Sequence, residues 1–180
     1  MRGLEWPRSG FLAVCGLLLV MIMSSCQMRE PVLSEDILMN MEYRSACAAQ
    51  GAFRLRDGKY SEPGVSGASS GVVVSLEDYV IGHVNGVPVA AVILKSASGG
   101  SGVFYDLAVV MKKNGTIVNT DQEYIGDRVK IRGIDIRDGA IVLDMVTHGP
   151  EEPLCCPTVS WKQRYLIRDG GVVRPGADTG

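Results

Sequence analysis

The side chains best equipped for chemistry lie close together late in the chain. His148, Cys155 and Cys156 fall in the run His148-Gly149-Pro150-Glu151-Glu152-Pro153-Leu154-Cys155-Cys156-Pro157-Thr158. An imidazole and two thiolates suit Zn²⁺ or Cu(I), with Cys47 as a possible fourth ligand. The CxxC spacing of zinc sites is absent, however, and adjacent Cys side chains diverge, so no metal and no other cofactor is expected. A Cys–His nucleophile oriented by Glu151 or Glu152 is a second possibility, but no nucleophile motif surrounds either cysteine. The third role is structural. A disulfide from Cys47 to Cys155 or Cys156 closes a loop of about 108 residues and stabilises by about 4–5 kcal/mol in the chain-entropy model. A strained vicinal Cys155–Cys156 bridge is the alternative.

No Ser/His/Asp triad can be assembled from 2 histidines of which one, His83, sits in a turn signal. Asp127 with Arg128, and Asp106 beside Tyr105, read as surface or turn charges and not as paired catalytic carboxylates. The chain is therefore expected to be a non-catalytic protein with a binding or structural role, its loop Thr147–Thr158 the recognition surface, with His148, Glu151, Glu152 and Thr158 as candidate contacts. The partner is expected to be another protein or a small ligand. The rival is a thiol-redox or metal-handling protein using His148, Cys155 and Cys156.

Charge and composition remove other classes. With 18 Lys+Arg against 20 Asp+Glu, the net charge of −2 supplies no basic field for nucleic acid. Aromatic residues at 6% provide no stacking platform for single strands. Ser98-Gly99-Gly100-Ser101-Gly102 looks like a phosphate cradle, but it lacks the Lys-Ser/Thr ending and precedes a strand, so it is a loop.

The elements that must position these residues are strands. Asp57-Gly58, Asn114-Gly115, Asp138-Gly139 and Asp169-Gly170 separate β-branched runs and suit type I′ hairpin turns, in which both central residues take φ > 0. Leu107, Val109 and Met111 share one strand face, as do Ile141, Leu143 and Met145. In Arg128–Arg137 the apolar phase shifts from Val129 and Ile131 to Ile134 and Ile136 across Gly133, which predicts a β-bulge. Val72-Val73-Val74 and Val89–Leu94 are apolar throughout, as strands buried on both faces are. Ile37–Gln50 is the one plausible helix, capped near Ser34, although Met39–Ala46 also reads as a first strand. The fold expected is mostly β: an antiparallel sandwich or partly open barrel of about eight strands, with at most one short N-terminal helix.

The N-terminus is an address. Arg2 and Arg8 precede the uncharged run Phe11–Met23, and small residues follow, the three parts of a secretory signal. Thirteen residues span about 20 Å as a helix, short of the roughly 30 Å hydrocarbon core. Met23-Ser24-Ser25-Cys26 resembles the lipobox of bacterial lipoproteins. The resemblance implies cleavage before Cys26 and lipidation of its thiol, so that N-terminal acyl chains hold the protein to a lipid bilayer. Gln27, in place of Asp, implies the periplasmic face of the outer membrane where the host has two membranes, and otherwise the outer face of the cell membrane. The organisation expected is a signal peptide at 1–25, a lipidated tether at 26–36, a single β-rich domain at 37–175 and a tail at 176–180.

Three stretches carry a wider likeness: Gly100–Val109, Gly126-Asp127-Arg128-Val129 and the His-Gly-Pro…Cys-Cys-Pro-Thr run from His148 to Thr158. Together they resemble a family of small bacterial lipoproteins of uncharacterised function, over residues 40–167. The resemblance implies location and fold more than function, since no enzymatic activity is established for the family. Relatives carry an Asp-rich, calcium-loop-like turn where this chain has Gly82-His83-Val84-Asn85-Gly86-Val87-Pro88. Ca²⁺ takes six to eight oxygens, and here only Asn85 and backbone are offered, so the segment is read as a plain hairpin turn.

Overall fold

The computed structural model describes residues 31–45, 51–64, 71–153 and 155–175. Helix α1 (Glu35–Asn40) is followed by β1 (Glu42–Arg44), β2 (Ala52–Arg54), β3 (Lys59–Glu62), β4 (Val72–Val84) and β5 (Val87–Ala97). Then come β6 (Phe104–Lys113), β7 (Thr116–Asp127), β8 (Lys130–Arg137), β9 (Ala140–Thr147), β10 (Val159–Arg168) and β11 (Gly171–Val173). All pairings are antiparallel, in a five-stranded sheet ordered β3-β4-β5-β6-β7, a four-stranded sheet ordered β11-β10-β9-β8, and the β1–β2 pair. The mostly-β antiparallel expectation holds, with eleven strands among the described residues in place of about eight; three of them are only three residues long.

The turns explain the connectivity. At Asp57-Gly58, Asn114-Gly115, Asp138-Gly139 and Asp169-Gly170 the first residue has φ of 51–53° and the glycine 68–82°. Asn85-Gly86 repeats this at 52° and 79°, so the segment after His83 is a two-residue hairpin turn. The residue types are those that tolerate left-handed backbone. The Asp57-Gly58 turn does not make a full hairpin: one bridge joins Arg56 to Lys59, after which β2 pairs with β1 and β3 with β4.

The five-stranded sheet is buried on both faces. Ala90, Val92, Leu94, Ala108 and Val110 point to the side covered by α1 and β1–β2, through Leu38, Met41, Tyr43 and Phe53. Val89, Ala91, Ile93, Leu107 and Val109 point the other way, onto Ile141, Leu143, Met145 and Tyr165 of the four-stranded sheet. The continuous apolar run in β5 is the direct consequence. Val72-Val73-Val74 departs from it: Val73 is 52% exposed, because that end of β4 lies beside β3 at the margin, outside the main cluster under the second sheet. The bulge at Gly133 is present, shifting the β8–β9 register between Ile131 and Gly133 so that Ile131, Ile134 and Ile136 all face the core.

The N-terminal expectation needs correction. The helix is six residues long and ends at Asn40, and the strand reading takes over from Glu42, so each alternative holds half of the segment. Tyr43 Oη donates to Leu38 O at 2.9 Å, tying the strand back over the last helical turn. Leu33, just ahead of the helix, also packs against this core.

The two sheets close upon each other at both margins. Ile136 of β8 packs over Gly82 of β4. On the other side Asp121 Oδ2 of β7 accepts from Val172 N of β11 at 2.6 Å, and Arg174 pairs with Glu123. The corner from β7 to β8 is the Gly126-Asp127-Arg128-Val129 stretch. A Cβ at Gly126 would stand 2.8 Å from Val129 Cγ1, Asp127 Oδ1 accepts from Val103 N at 2.9 Å, and Arg128 takes φ 52°. No helix among the described residues is long and apolar enough to cross a membrane.

Candidate functional site

β9 ends at Thr147 and β10 begins at Val159, so the His-Gly-Pro…Cys-Cys-Pro-Thr run is the loop joining two paired strands. Glu152 organises it. Its Oε2 accepts from Gly149 N at 3.0 Å and from Thr158 N at 3.1 Å, and Oε1 accepts from Thr158 Oγ1. A single carboxylate thus bridges the two stems of the loop, and tight turns follow at Glu152 N→Gly149 O and Cys156 N→Pro153 O. Glu152 and Thr158, expected as partner contacts, are engaged with each other; Glu151 is exposed and His148 half-buried at the loop entrance.

The Thr158 hydroxyl, the Gly149 and Thr158 amides and nearby His148 hold the Glu152 carboxyl below its ordinary value. A depressed carboxyl contributes order above its unfolded pKa, which is lost as pH falls through the folded value. The Gly149 and Thr158 amide resonances are therefore expected to titrate together, with a midpoint below the usual Glu range of about 4.3. Glu152→Gln should abolish the titration; a midpoint at or above that range would contradict the bridge.

The two thiols of the loop stand side by side. Cys155 and Cys156 are exposed thiols with Sγ atoms 2.6 Å apart. The hydrogen bond with Cys155, then burial and the Cys155 charge, push the Cys156 thiol above its ordinary range despite Lys130. A thiol held protonated is a poor nucleophile and a poor metal ligand at neutral pH. Among the described residues no three His, Cys, Asp or Glu side chains cluster as a metal cradle. Cys47, with any bridge it makes, and Cys26 lie outside the described residues.

Of the other acids, Asp127 is a corner charge as expected, paired with Arg128 Nη2 at 3.1 Å. Asp106 is not a surface or turn charge: it lies within β6, half-buried, where burial raises its carboxyl against a hydrogen bond from Gln122.

Beside the loop is a feature the sequence reading passed over. β11 pairs only with Leu166–Arg168, so the outer edge of β10 from Val159 to Tyr165 has no strand partner among the described residues. Val159, Trp161, Gln163 and Tyr165 alternate onto the inner face, and Tyr165 is buried there whereas Trp161 is 49% exposed. A groove of about 240 Å³ opens over Trp161, lined also by Ile125, Met145, Thr147 and Gln163. Trp161 Nε1 donates to Gln163 Oε1 at 3.1 Å, which fixes the indole across the opening. Arg174 crosses its far end, donating to Tyr124 O at 3.2 Å. The period-two run through Trp161 was the available signal. No protein-family model, no curated protein and no solved structure matches the chain.

Proposed function

We propose that the chain is a membrane-anchored lipoprotein of the bacterial envelope, held by acyl chains on Cys26. Its β-domain is non-catalytic and binds an extended segment of another envelope protein along the open edge of β10. The observation that carries the binding role is a half-exposed Trp161 on an inward-facing strand face, in a stretch of seven β10 residues paired to β9 on one side and with no strand on their outer side among the described residues. An added strand would satisfy that edge by main-chain hydrogen bonds and cover the indole with an apolar side chain, the mode of β-strand addition. Trp anchors of this kind dominate interface energetics. A groove of about 240 Å³ is smaller than the roughly 300–1,000 Å³ typical of small-molecule sites, which favours the protein partner. The Glu152 bridge holds the adjoining loop in one shape, which lowers the ordering cost of binding.

The test is photo-crosslinking in cells. A photoreactive residue in place of Trp161 or Thr158 is expected to capture a discrete partner, and one in place of Val87, exposed at the start of β5 in the five-stranded sheet, is not. Equal capture from all three positions, or none from 161 and 158, would remove the proposed edge.

The rival redox reading rests on the adjacency of Cys155 and Cys156. Under it, those two thiols would cycle between alkylatable and protected forms with the ambient potential.

A further inference from the structure

We infer that the outer face of the four-stranded sheet is a docking surface for an acidic polysaccharide. The small net charge of the chain conceals a strong segregation. Lys130, Arg132, Arg137, Lys162, Arg164 and Arg168 all lie on the outer face of β8 and β10 and all are exposed. Only Asp135 and Asp144 share that face, both half-buried, an excess of four positive charges. Residues 31–64, which form α1 and β1–β3, carry four basic against five acidic residues, and β4–β7 carry three against six. Asp138 and Asp169 sit in the turns at one end of the basic face and leave its middle positive.

The face is not flat. At the β8 bulge Gly133 has no side chain, and a Cβ there would meet nothing within 4 Å. The resulting hollow, about 370 Å³, is floored by Gly133 and Val142 and walled by Arg132, Arg137 and Lys162, with the carboxylates of Asp135 and Asp144 also in its lining. Three of the six cations are tethered on the face: Arg137 pairs with Asp135 at 2.6 Å, Lys162 with Asp144 at 3.4 Å, and Arg132 Nη1 donates to Ser160 Oγ at 3.1 Å. Along β10, Lys162 and Arg164 are two residues apart and so about 6.6 Å along the strand. A row of cations beside a sugar-sized hollow fits a chain that repeats an anionic group.

Other polyanions fit less well. Protein interfaces are anchored by exposed aromatic and large apolar residues, and none of the exposed large hydrophobic residues lies on this face. The same lack leaves nothing to insert into a bilayer interface. The chain also enters the domain through α1, on the layer across the five-stranded sheet from this face. This inference depends on neither the β10 edge nor the lipid on Cys26.

The experiment titrates the full chain in non-ionic detergent with polygalacturonate, neutral dextran, phosphatidylglycerol vesicles and a short DNA duplex. Polygalacturonate should bind, more weakly as salt rises, and neutral dextran should not. Arg132→Glu with Lys162→Glu should weaken binding at least about tenfold, a like-charge effect added to lost attraction. Arg56→Glu with Lys59→Glu, the same charge change on another layer, should alter it less than about twofold. If the first pair unfolds the domain, Arg164→Ala with Arg168→Ala should still weaken binding severalfold. Equal losses in the two charge-reversed pairs, or tighter binding to vesicles or DNA than to polygalacturonate, would overturn the inference.

Discussion

Asn119→Leu should destabilise the domain by about 2–4 kcal/mol although it keeps the number and branching of the side-chain heavy atoms. Asn119 is a buried polar residue in β7, and its side chain is fully used. Nδ2 donates to Val109 O at 3.0 Å and to Asp121 O at 2.7 Å, while Oδ1 accepts from Arg44 N at 3.2 Å. The β6–β7 register shifts between Val109 and Val110, opposite Thr120, so backbone groups there lose their ladder partners and the amide replaces them. The same amide ties β1 to the edge of the five-stranded sheet. An isobutyl group would take this partner from Asp121 O and Arg44 N and leave Val109 O only the long bond from Thr120 Oγ1 at 3.4 Å, each group left unsatisfied costing about 1–3 kcal/mol before relaxation. Denaturant titration of the full chain measures this. A loss below about 0.5 kcal/mol would mean that water reaches these groups.

The second large effect tests burial of the sheet on both faces. Ile93 and Leu94 are consecutive residues of β5, at 0% and 1% exposure, and point to opposite layers. Ile93→Ala and Leu94→Ala should each cost about 3 kcal/mol, within the 2–5 kcal/mol of large-to-alanine core changes. In a simple two-sheet sandwich one of the two would face water and cost far less. A Leu94→Ala loss under about 1 kcal/mol would show that α1 and β1–β2 do not seal that face.

Much of the fold was legible because the local signals agree with the tertiary demand. Asp-Gly and Asn-Gly marked the turns, since few residues accept φ near +50° followed by a still larger positive value. Gly133 marked the bulge because the apolar phase had to slip there to keep Ile131 and Ile134 on one face. Val89–Leu94 announced a two-sided strand. Val72–Val74 gave the same signal falsely, because an apolar run does not reveal where the covering layer stops. The helix was overextended because Met41 and Tyr43 face the core whether they stand on a helix or on β1.

The site was less legible. The loop was located by its residue types, but Glu152 looked like an exposed contact, and only its three acceptor bonds show it as the brace. Trp161 drew no notice because its neighbours on the inner face, Gln163 and Tyr165, do not mark an open edge. Overall net charge argued only against nucleic acid, and averaging hid the basic face: the six cations come from two strands, β8 and β10, that flank β9 and present them on one side.

The central claim, an anchored and non-catalytic envelope domain, is tested most directly by intact mass spectrometry of the protein from the membrane fraction. The spectrum is taken natively and after denaturation, without reduction and with alkylation. The expected species begins at Cys26, carries two or three acyl chains and no metal, and becomes soluble when Cys26 is changed to Ser. An unacylated chain in the soluble fraction would contradict the anchor. A stoichiometric metal lost on His148→Ala or Cys155→Ser, or a readily cycled Cys155–Cys156 bridge, would contradict the binding role and make the 148–158 loop a reactive centre.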